Sequence, residues 1–444
     1  MLTTQRQDVG QSTDETVASR SWRSGLRWTL GVLSFGVTLG RAIQTALTVH
    51  QLDLAVYLMG ARQLFTGHLY STTLAGSGLP FTYPPVAALL FVPVTVLPPT
   101  GASVMWAVVS TIALLGLLGV SLRAVRPTWP RARVIGWALI LSYPALVLNP
   151  VALSFSFGQI NVLLAILVLT DLTMHFGLRG HRLPRGVMVG LATAVKLTPG
   201  IFVPYLFLTR QIRAGWTAVI TFLVATLALV MLAPSESWAY WTRDVFDVRR
   251  VGGTIYVSNQ SLRSTLARFG HGHSPGDLSI AVILAVAVGG LAIAVWADRG
   301  SSRLLGILVC AVTGLLVSPI TWTHHLVWVV PVLLWLALAD DRPAFGRIWA
   351  AFGAVWFWWG AIFRVPNGSG RELHDTITQL LLANSYTLLM VGFLVGVAVM
   401  LWWRGRGKAD GRGESTDPGR TRRVSFPAQS TPADPDTASL PHSA

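Results

Sequence analysis

The stretch Leu52-Asp53-Leu54-Ala55-Val56-Tyr57-Leu58-Met59-Gly60-Ala61-Arg62 follows directly on the first long apolar run of the chain. Leu54, Leu58, Ala61 and Phe65 recur at i, i+4, i+7 and i+11, so one helix face is apolar, and Asp53, Tyr57 and Gly60 fall on another. This periodicity predicts a helix lying in a membrane interface. A carboxylate near hydrocarbon costs roughly 2.5–3.5 kcal/mol at a helix centre on insertion scales, so one kept at a membrane surface needs a reason. Two readings of Asp53 are open. It caps the helix, since Asp is a preferred N-cap residue, or its carboxylate turns toward a protein cavity.

Composition sets the solvent. The 444 residues are 52% hydrophobic and only 12% charged, with a mean hydropathy of +0.56. Soluble domains carry about 25% charged residues, so the chain reads as an all-α polytopic membrane protein. The net charge of +15 is concentrated in short connections and at both termini, where it serves orientation and not nucleic-acid binding. Cys310 is the one cysteine and lies in an apolar run, which excludes an intrachain disulfide and a cysteine metal site. Lys196 is the only lysine ahead of the C-terminal tail.

Taken in order, residues 1–24 read as a polar, disordered cytoplasmic tail without a cleavage site. Residues 25–403 form the membrane domain, and 404–444 a tail that starts basic and becomes Pro/Ser/Thr-rich, with its start on anionic lipid. Apolar segments near 26–48, 82–98, 102–122, 134–149, 158–175, 186–209, 214–233, 278–297, 303–319, 324–339, 345–363 and 384–403 total about twelve spans, with both ends inside. Arg20, Arg23 and Arg27 place Asp53 on the outer face. Charge and length conflict at two places. If 82–98 and 186–209 are re-entrant, about ten crossings remain and the basic connections Arg123 to Arg133 and Arg179 to Arg185 both lie inside.

Four further polar clusters interrupt the apolar segments. Gly158-Gln159-Ile160-Asn161 opens one of them, and its amides either bond a neighbouring helix or line a cavity. In Lys196-Leu197-Thr198-Pro199 the proline breaks the helix and the lysine adds a charge at the break, for which a lipid phosphate is a natural counter-ion. Asn259-Gln260-Ser261-Leu262-Arg263 is either a solvated loop or a holder of sugar hydroxyls and phosphate. Ser318-Pro319-Ile320-Thr321-Trp322-Thr323-His324-His325 ends in two histidines that point about 100° apart on a helix, a poor arrangement for one shared metal. One histidine facing the cavity is the preferred reading. One carboxylate to take a hydroxyl proton, together with cations to hold a phosphate, makes a workable set. Walker A, GxSxG, HExxH and dinucleotide motifs are absent from the sequence.

From about residue 50 to 330 the chain resembles the actinobacterial polyprenyl-phosphate-mannose-dependent mannosyltransferases of glycosyltransferase family 87. The resemblance is carried by Asp53 with Tyr57, Pro80-Phe81-Thr82-Tyr83-Pro84-Pro85, the clusters at 158–161, 196–199 and 259–262, and Ser318-Pro319-Ile320 with His324-His325. It implies a GT-C fold, a polyprenyl-phosphate-mannose donor and a mannosylated glycolipid acceptor (phosphatidylinositol mannoside, lipomannan or lipoarabinomannan). It also implies an α-(1→2) product formed with inversion on the outer face of the cell membrane. Asp53 becomes the general base, without a metal or another cofactor. Leu52 and Leu54 flank Asp53, so the adjacent acidic pair of the wider GT-C pattern is missing. Under this reading His324 or His325, with Lys196, Arg263, Asn259 and Gln260, holds the donor phosphate, while Tyr57, Tyr83, Gln159 and Asn161 contact the sugars. A lipid-phosphate arabinofuranosyltransferase and a glycolipid transporter or flippase are the alternatives. Transporters usually carry paired internal repeats, and this sequence shows none.

Overall fold

The computed structural model describes residues 5–174, 177–178, 181–272 and 276–413. The helices are α1 (Gln5–Thr48), α2 (Leu52–Gln63), α3 (Pro85–Phe91), α4 (Pro99–Val125), α5 (Arg131–Leu146) and α6 (Asn149–Phe157). They continue as α7 (Asn161–Thr173), α8 (Val187–Val195), α9 (Phe202–Leu208), α10 (Ile212–Leu232), α11 (Pro234–Thr242) and α12 (Leu262–Phe269). The last six are α13 (Asp277–Gly300), α14 (Arg303–Val317), α15 (Val329–Leu338), α16 (Gly346–Trp359), α17 (Ile377–Ala383) and α18 (Ser385–Gly413). Strand structure among the described residues is one two-residue pair, Gly177–Leu178 with His181–Arg182. The chain divides into two units, 1–401 and 402–444. Residues 5–24, read from sequence as a tail, carry helical backbone as part of α1, and the Pro/Ser/Thr-rich tail after 413 lies outside the described residues.

Among the described residues five helices are long and apolar enough to cross a membrane, and six if the pair α5 and α6, bent by 80°, counts as one span. Their outward faces are apolar: Val32, Val224, Val288 and Val395 are each more than half exposed. A surface of this kind suits lipid and not water, which makes the chain a multi-pass membrane protein.

Two apolar segments do not form single straight helices. Pro85 opens α3 at its first position, as proline prefers, and a 3-10 turn over Val92–Val96 ends it before Pro98. The combined length of roughly 20 Å falls short of a hydrocarbon core of about 30 Å. The second, 186–209, breaks at Lys196, whose backbone is extended, and turns through Thr198–Ile201 into α9. Its two arms fold back on each other. A Cβ on Gly190 would sit 2.5 Å from the Ala218 carbonyl of α10, and one on Gly215, at the start of α10, 2.9 Å from the Phe207 ring near the end of α9. Residues 186 and 210 therefore both lie by the beginning of α10, with Lys196 at the far apex.

Gly158 links this scaffold to the opening stretch. It ends α6 in the left-handed conformation, φ 67°, where glycine carries no steric cost. A Cβ there would also come within 2.7 Å of Leu54 Cβ and 3.1 Å of Gln51 Cβ. Glycine thus lets α6 end against α2, and Gln51 closes the joint by donating its Nε2 to the Phe155 carbonyl at 3.0 Å. Gly158→Ala is expected to lower the melting temperature, with a backbone penalty of roughly 1–2 kcal/mol plus the Leu54 overlap. Thermal unfolding of the detergent-purified protein measures it, and an unchanged midpoint would refute this account of the joint.

Candidate functional site

The joint between α2 and α6 puts Gln159 beneath Asp53. Helix α2 begins at Leu52 with Gln51 at its cap position, so Asp53 is not the N-cap. Its Oδ2 instead accepts Gln159 Nε2 at 2.6 Å. Tyr57, one turn along α2, donates its hydroxyl to Gln159 Oε1 at 2.8 Å. That bond fixes which way the amide faces, so its NH₂ meets both Asp53 and the Tyr83 hydroxyl, the latter at 3.3 Å. Tyr57 is held in turn by stacking on Phe91, 4.6 Å between centroids, and by Tyr83 at 5.1 Å. Among the described residues, Asp53 Oδ1 accepts no hydrogen bond. Burial pushes the Asp53 carboxyl up to about 6, against the lowering effects of the Gln159 bond and of the Lys196 charge. The group is ionised at neutral pH and a stronger base than a surface aspartate.

Lys196 reaches the same place from the apex of the α8–α9 hairpin. Its Nζ donates to Asn161 Oδ1 at 2.9 Å and to His325 Nε2 at 3.0 Å, and lies 5.3 Å from the centroid of the Tyr83 ring. With the ammonium donating, His325 accepts at Nε2 and carries its proton on Nδ1. Asn161 Nδ2 donates to the His324 carbonyl at 2.9 Å, so one amide ties the lysine to the histidine pair. His324 is buried against Phe157, 5.4 Å between ring centroids, and among the described residues neither of its ring nitrogens has a hydrogen-bond partner. Lys196 is only 7% exposed, yet no carboxylate lies within ion-pair distance among the described residues. A buried ammonium partnered only by neutral groups is poised to receive an anion.

Eight of the residues singled out from sequence therefore converge: Asp53, Tyr57, Tyr83, Gln159, Asn161, Lys196, His324 and His325. Three do not. Arg263 is exposed on α12. Asn259 and Gln260 are fully buried, and their amides, assigned from sequence to the donor, are committed to the protein. Asn259 joins the Thr254 carbonyl to the Ser261 and Thr321 amides. Gln260 joins the Val257 and Ala383 carbonyls to Thr387. Their segment acts as a template: Gln260 N donates to the Thr321 carbonyl at 2.7 Å, and Ser258 bonds Thr323. The residues leading into the histidine pair are held this way.

Arg268 secures the template, and sequence reading missed it because it looked like one more loop cation. It is fully buried and donates to the carbonyls of Ile255, Tyr256 and Asn259, to Ser264 Oγ and to Asn384 Oδ1. The available signal was its spacing, four residues after Ser264 and seven after Ser261 on one helix face.

Two cavities border the cluster. A small one of about 50 Å³ is lined by Asn161, Thr198, Pro199, Ser318 and His325. A larger apolar one of about 470 Å³ runs between α14, α15, α16 and α18 and shares Leu315 and Trp328 with the first. Among the described residues, no three His, Cys, Asp or Glu side chains come together as metal ligands.

A partly buried carboxylate close to a buried lysine that has no ion pair among the described residues suits group-transfer chemistry. The chain belongs to glycosyltransferase family 87, which its residues 81–319 match. Over 348 residues, 73% of this chain and 79% of the relative, it is 36% identical to the polyprenol-phosphate-mannose-dependent alpha-(1-2)-phosphatidylinositol mannoside mannosyltransferase of Mycobacterium tuberculosis. It is 37% identical to the protein of the same name from Mycolicibacterium smegmatis, covering 66% of this chain and 71% of that one. A third relative, the phosphatidylinositol pentamannoside mannosyltransferase of M. tuberculosis, is 36% identical over 70% of this chain and 72% of its own length. No solved structure matches the chain.

Arg268→Ala is expected to reduce transferase activity by at least roughly tenfold, because the carbonyls it holds lose a buried charge-assisted partner. Hydrogen exchange should show residues 254–261 and 320–325 losing protection together. Protection lost only in 254–261 would refute the template.

Proposed function

We propose that this protein transfers mannose from a polyprenyl-phosphate-mannose donor to a phosphatidylinositol mannoside-type glycolipid in α-(1→2) linkage. The observation that carries the reading is the buried Lys196 ammonium, without an ion-paired carboxylate among the described residues, near the Asp53 carboxylate, one of whose oxygens accepts no hydrogen bond among them. A lipid phosphate supplies the missing anion and a sugar hydroxyl the missing donor. The printed names of the relatives supply the sugar and both lipids, and they favour neither an arabinofuranosyl donor nor a transporter.

In the reaction, Asp53 takes the proton of the acceptor hydroxyl as its oxygen bonds to the donor's anomeric carbon. The bond from that carbon to the phosphate oxygen breaks, and the electron pair leaves with the phosphate. Because the second pKa of a phosphate monoester is about 6, the leaving group needs no strong acid. Lys196 and His325 stabilise the charge that develops on it. Attack and departure on opposite faces invert the anomeric centre. Gln159, aimed by Tyr57, holds Asp53 in line, and Tyr83 lies between base and cation as a wall for the sugar. The apolar cavity beyond Leu315 and Trp328 takes the start of the polyprenyl chain.

The site faces the outside of the plasma membrane in a GT-C arrangement with ten crossings. One geometric fact supports ten over twelve: the α8–α9 hairpin returns to the side where it began. With both segments re-entrant, the arginines at 123–133 and at 185–213 fall on the inner side, as the positive-inside rule requires.

Radiolabelled mannose transfer by the full-length protein in detergent tests the reading. Asp53→Asn is expected to lose on the order of 10²–10⁴ in turnover with donor binding retained. Lys196→Gln should instead raise the donor KM. Since the base works only when ionised, activity should rise with pH through about 6 and level off above it. Chelators should leave activity unchanged. Full activity in Asp53→Asn, or a profile falling through that range, would sink the assignment.

A further inference from the structure

The opposite end of the α8–α9 hairpin is built around a second, basic concavity. It measures about 850 Å³ and is lined by Arg185, Arg210 and Arg213, with Asp171, Gln211 and Pro184. Helix α8, at 1.5 Å per residue, separates it from Lys196 by about 14 Å. Neither the Arg210 nor the Arg213 guanidinium has a hydrogen-bond or ion-pair partner among the described residues. Arg185 has only a long bond to Gln211 Oε1 at 3.4 Å. Burial and the neighbouring Arg303 charge both lower the Arg185 pKa, with Asp171 opposing. The Asp171 carboxylate is already engaged, accepting the Gly186 amide at 3.0 and 2.9 Å and the Val189 amide at 3.0 Å. The α7–α8 connection contributes no acidic residue. Arg210 also keeps a left-handed backbone, φ 61°, at a turn where glycine or asparagine is easier. Trp216, one turn beyond on α10, is 56% exposed, as an interfacial anchor is.

We propose that this concavity binds the phosphate headgroup of an anionic phospholipid, bridging Arg185 to Arg210 and Arg213. Scattered arginines would serve orientation alone. Three of them lining one concavity at the feet of a re-entrant hairpin make a headgroup site. The bridge ties the arm that leads to Lys196 to the arm that returns from it, so occupancy steadies the apex. The site does not depend on the sugar-transfer reading.

The test is native mass spectrometry of the full-length protein released from nanodiscs of phosphatidylcholine with phosphatidylglycerol. The wild type is expected to retain phosphatidylglycerol selectively. Arg210→Gln with Arg213→Gln should weaken retention by roughly tenfold or more. The charge-matched control, Arg131→Gln with Arg133→Gln, should not. Equal loss in both double variants would reduce the effect to general surface charge and overturn the proposal. Absence of selectivity in the wild type would overturn it without any variant. Occupancy by added inorganic phosphate, with no lipid retained, would reassign the site to a soluble anion and overturn the lipid claim.

Discussion

A lysine amine enclosed by protein, with no carboxylate within ion-pair distance among the described residues, is the constraint to which the rest of the structure answers. Lys196 stays in place because a broken hairpin presents it, Asn161 and His325 accept from it, and the Tyr83 ring shields it. Each of those partners is positioned by a separate device. Asn161 starts α7 directly after the Gly158 joint. His325 follows the strip templated by residues 258–261. Tyr83 is packed by Tyr57. Removing an acid that once neutralised such a cation would be destabilising. Here the groups within hydrogen-bond reach are neutral, so among the described residues the amine is left without an ion pair.

The Asp53 carboxylate is organised by the same economy of parts. One amide, Gln159, contacts Asp53, Tyr57 and Tyr83 together. Its orientation is set by a tyrosine that never touches the carboxylate. Burial raises the carboxyl pKa while the amide and the lysine restrain it, leaving an anion at neutral pH. A second acid nearby would push one of the pair to protonate, and leucines flank Asp53 instead.

Much of this was legible in the sequence, and the limits have physical causes. Polar residues inside apolar runs stand out because hydrocarbon penalises them, which is why Asp53, Gln159, Asn161, Lys196 and the histidine pair could be named without coordinates. Asn259 and Gln260 stood out equally but serve the backbone, since an amide looks the same in sequence whether it binds a sugar or a carbonyl. Arg268 escaped for the converse reason: in a loop already rich in arginine, only burial distinguishes a structural guanidinium. The fold was legible as a set of apolar segments. The number of crossings was not, because hydropathy reports length and composition but not direction.

Direction is what the α8–α9 hairpin contributes. A straight span would place Lys196 at mid-membrane with flanks leaving on opposite sides, and two of the basic connections would have to face outward. Folding back at Lys196-Leu197 returns the chain to the start of α10, with Gly186 and Gly190 against the α10 backbone and Gly215 against the Phe207 ring. The same turn delivers a cation to one end of the bundle and gathers arginines at the other. The proline after the break removes the amide that would have continued the helix, and the glycines let the two arms close on α10. The hairpin thus joins the Lys196 apex to the arginine-lined end of the bundle through one short run of chain.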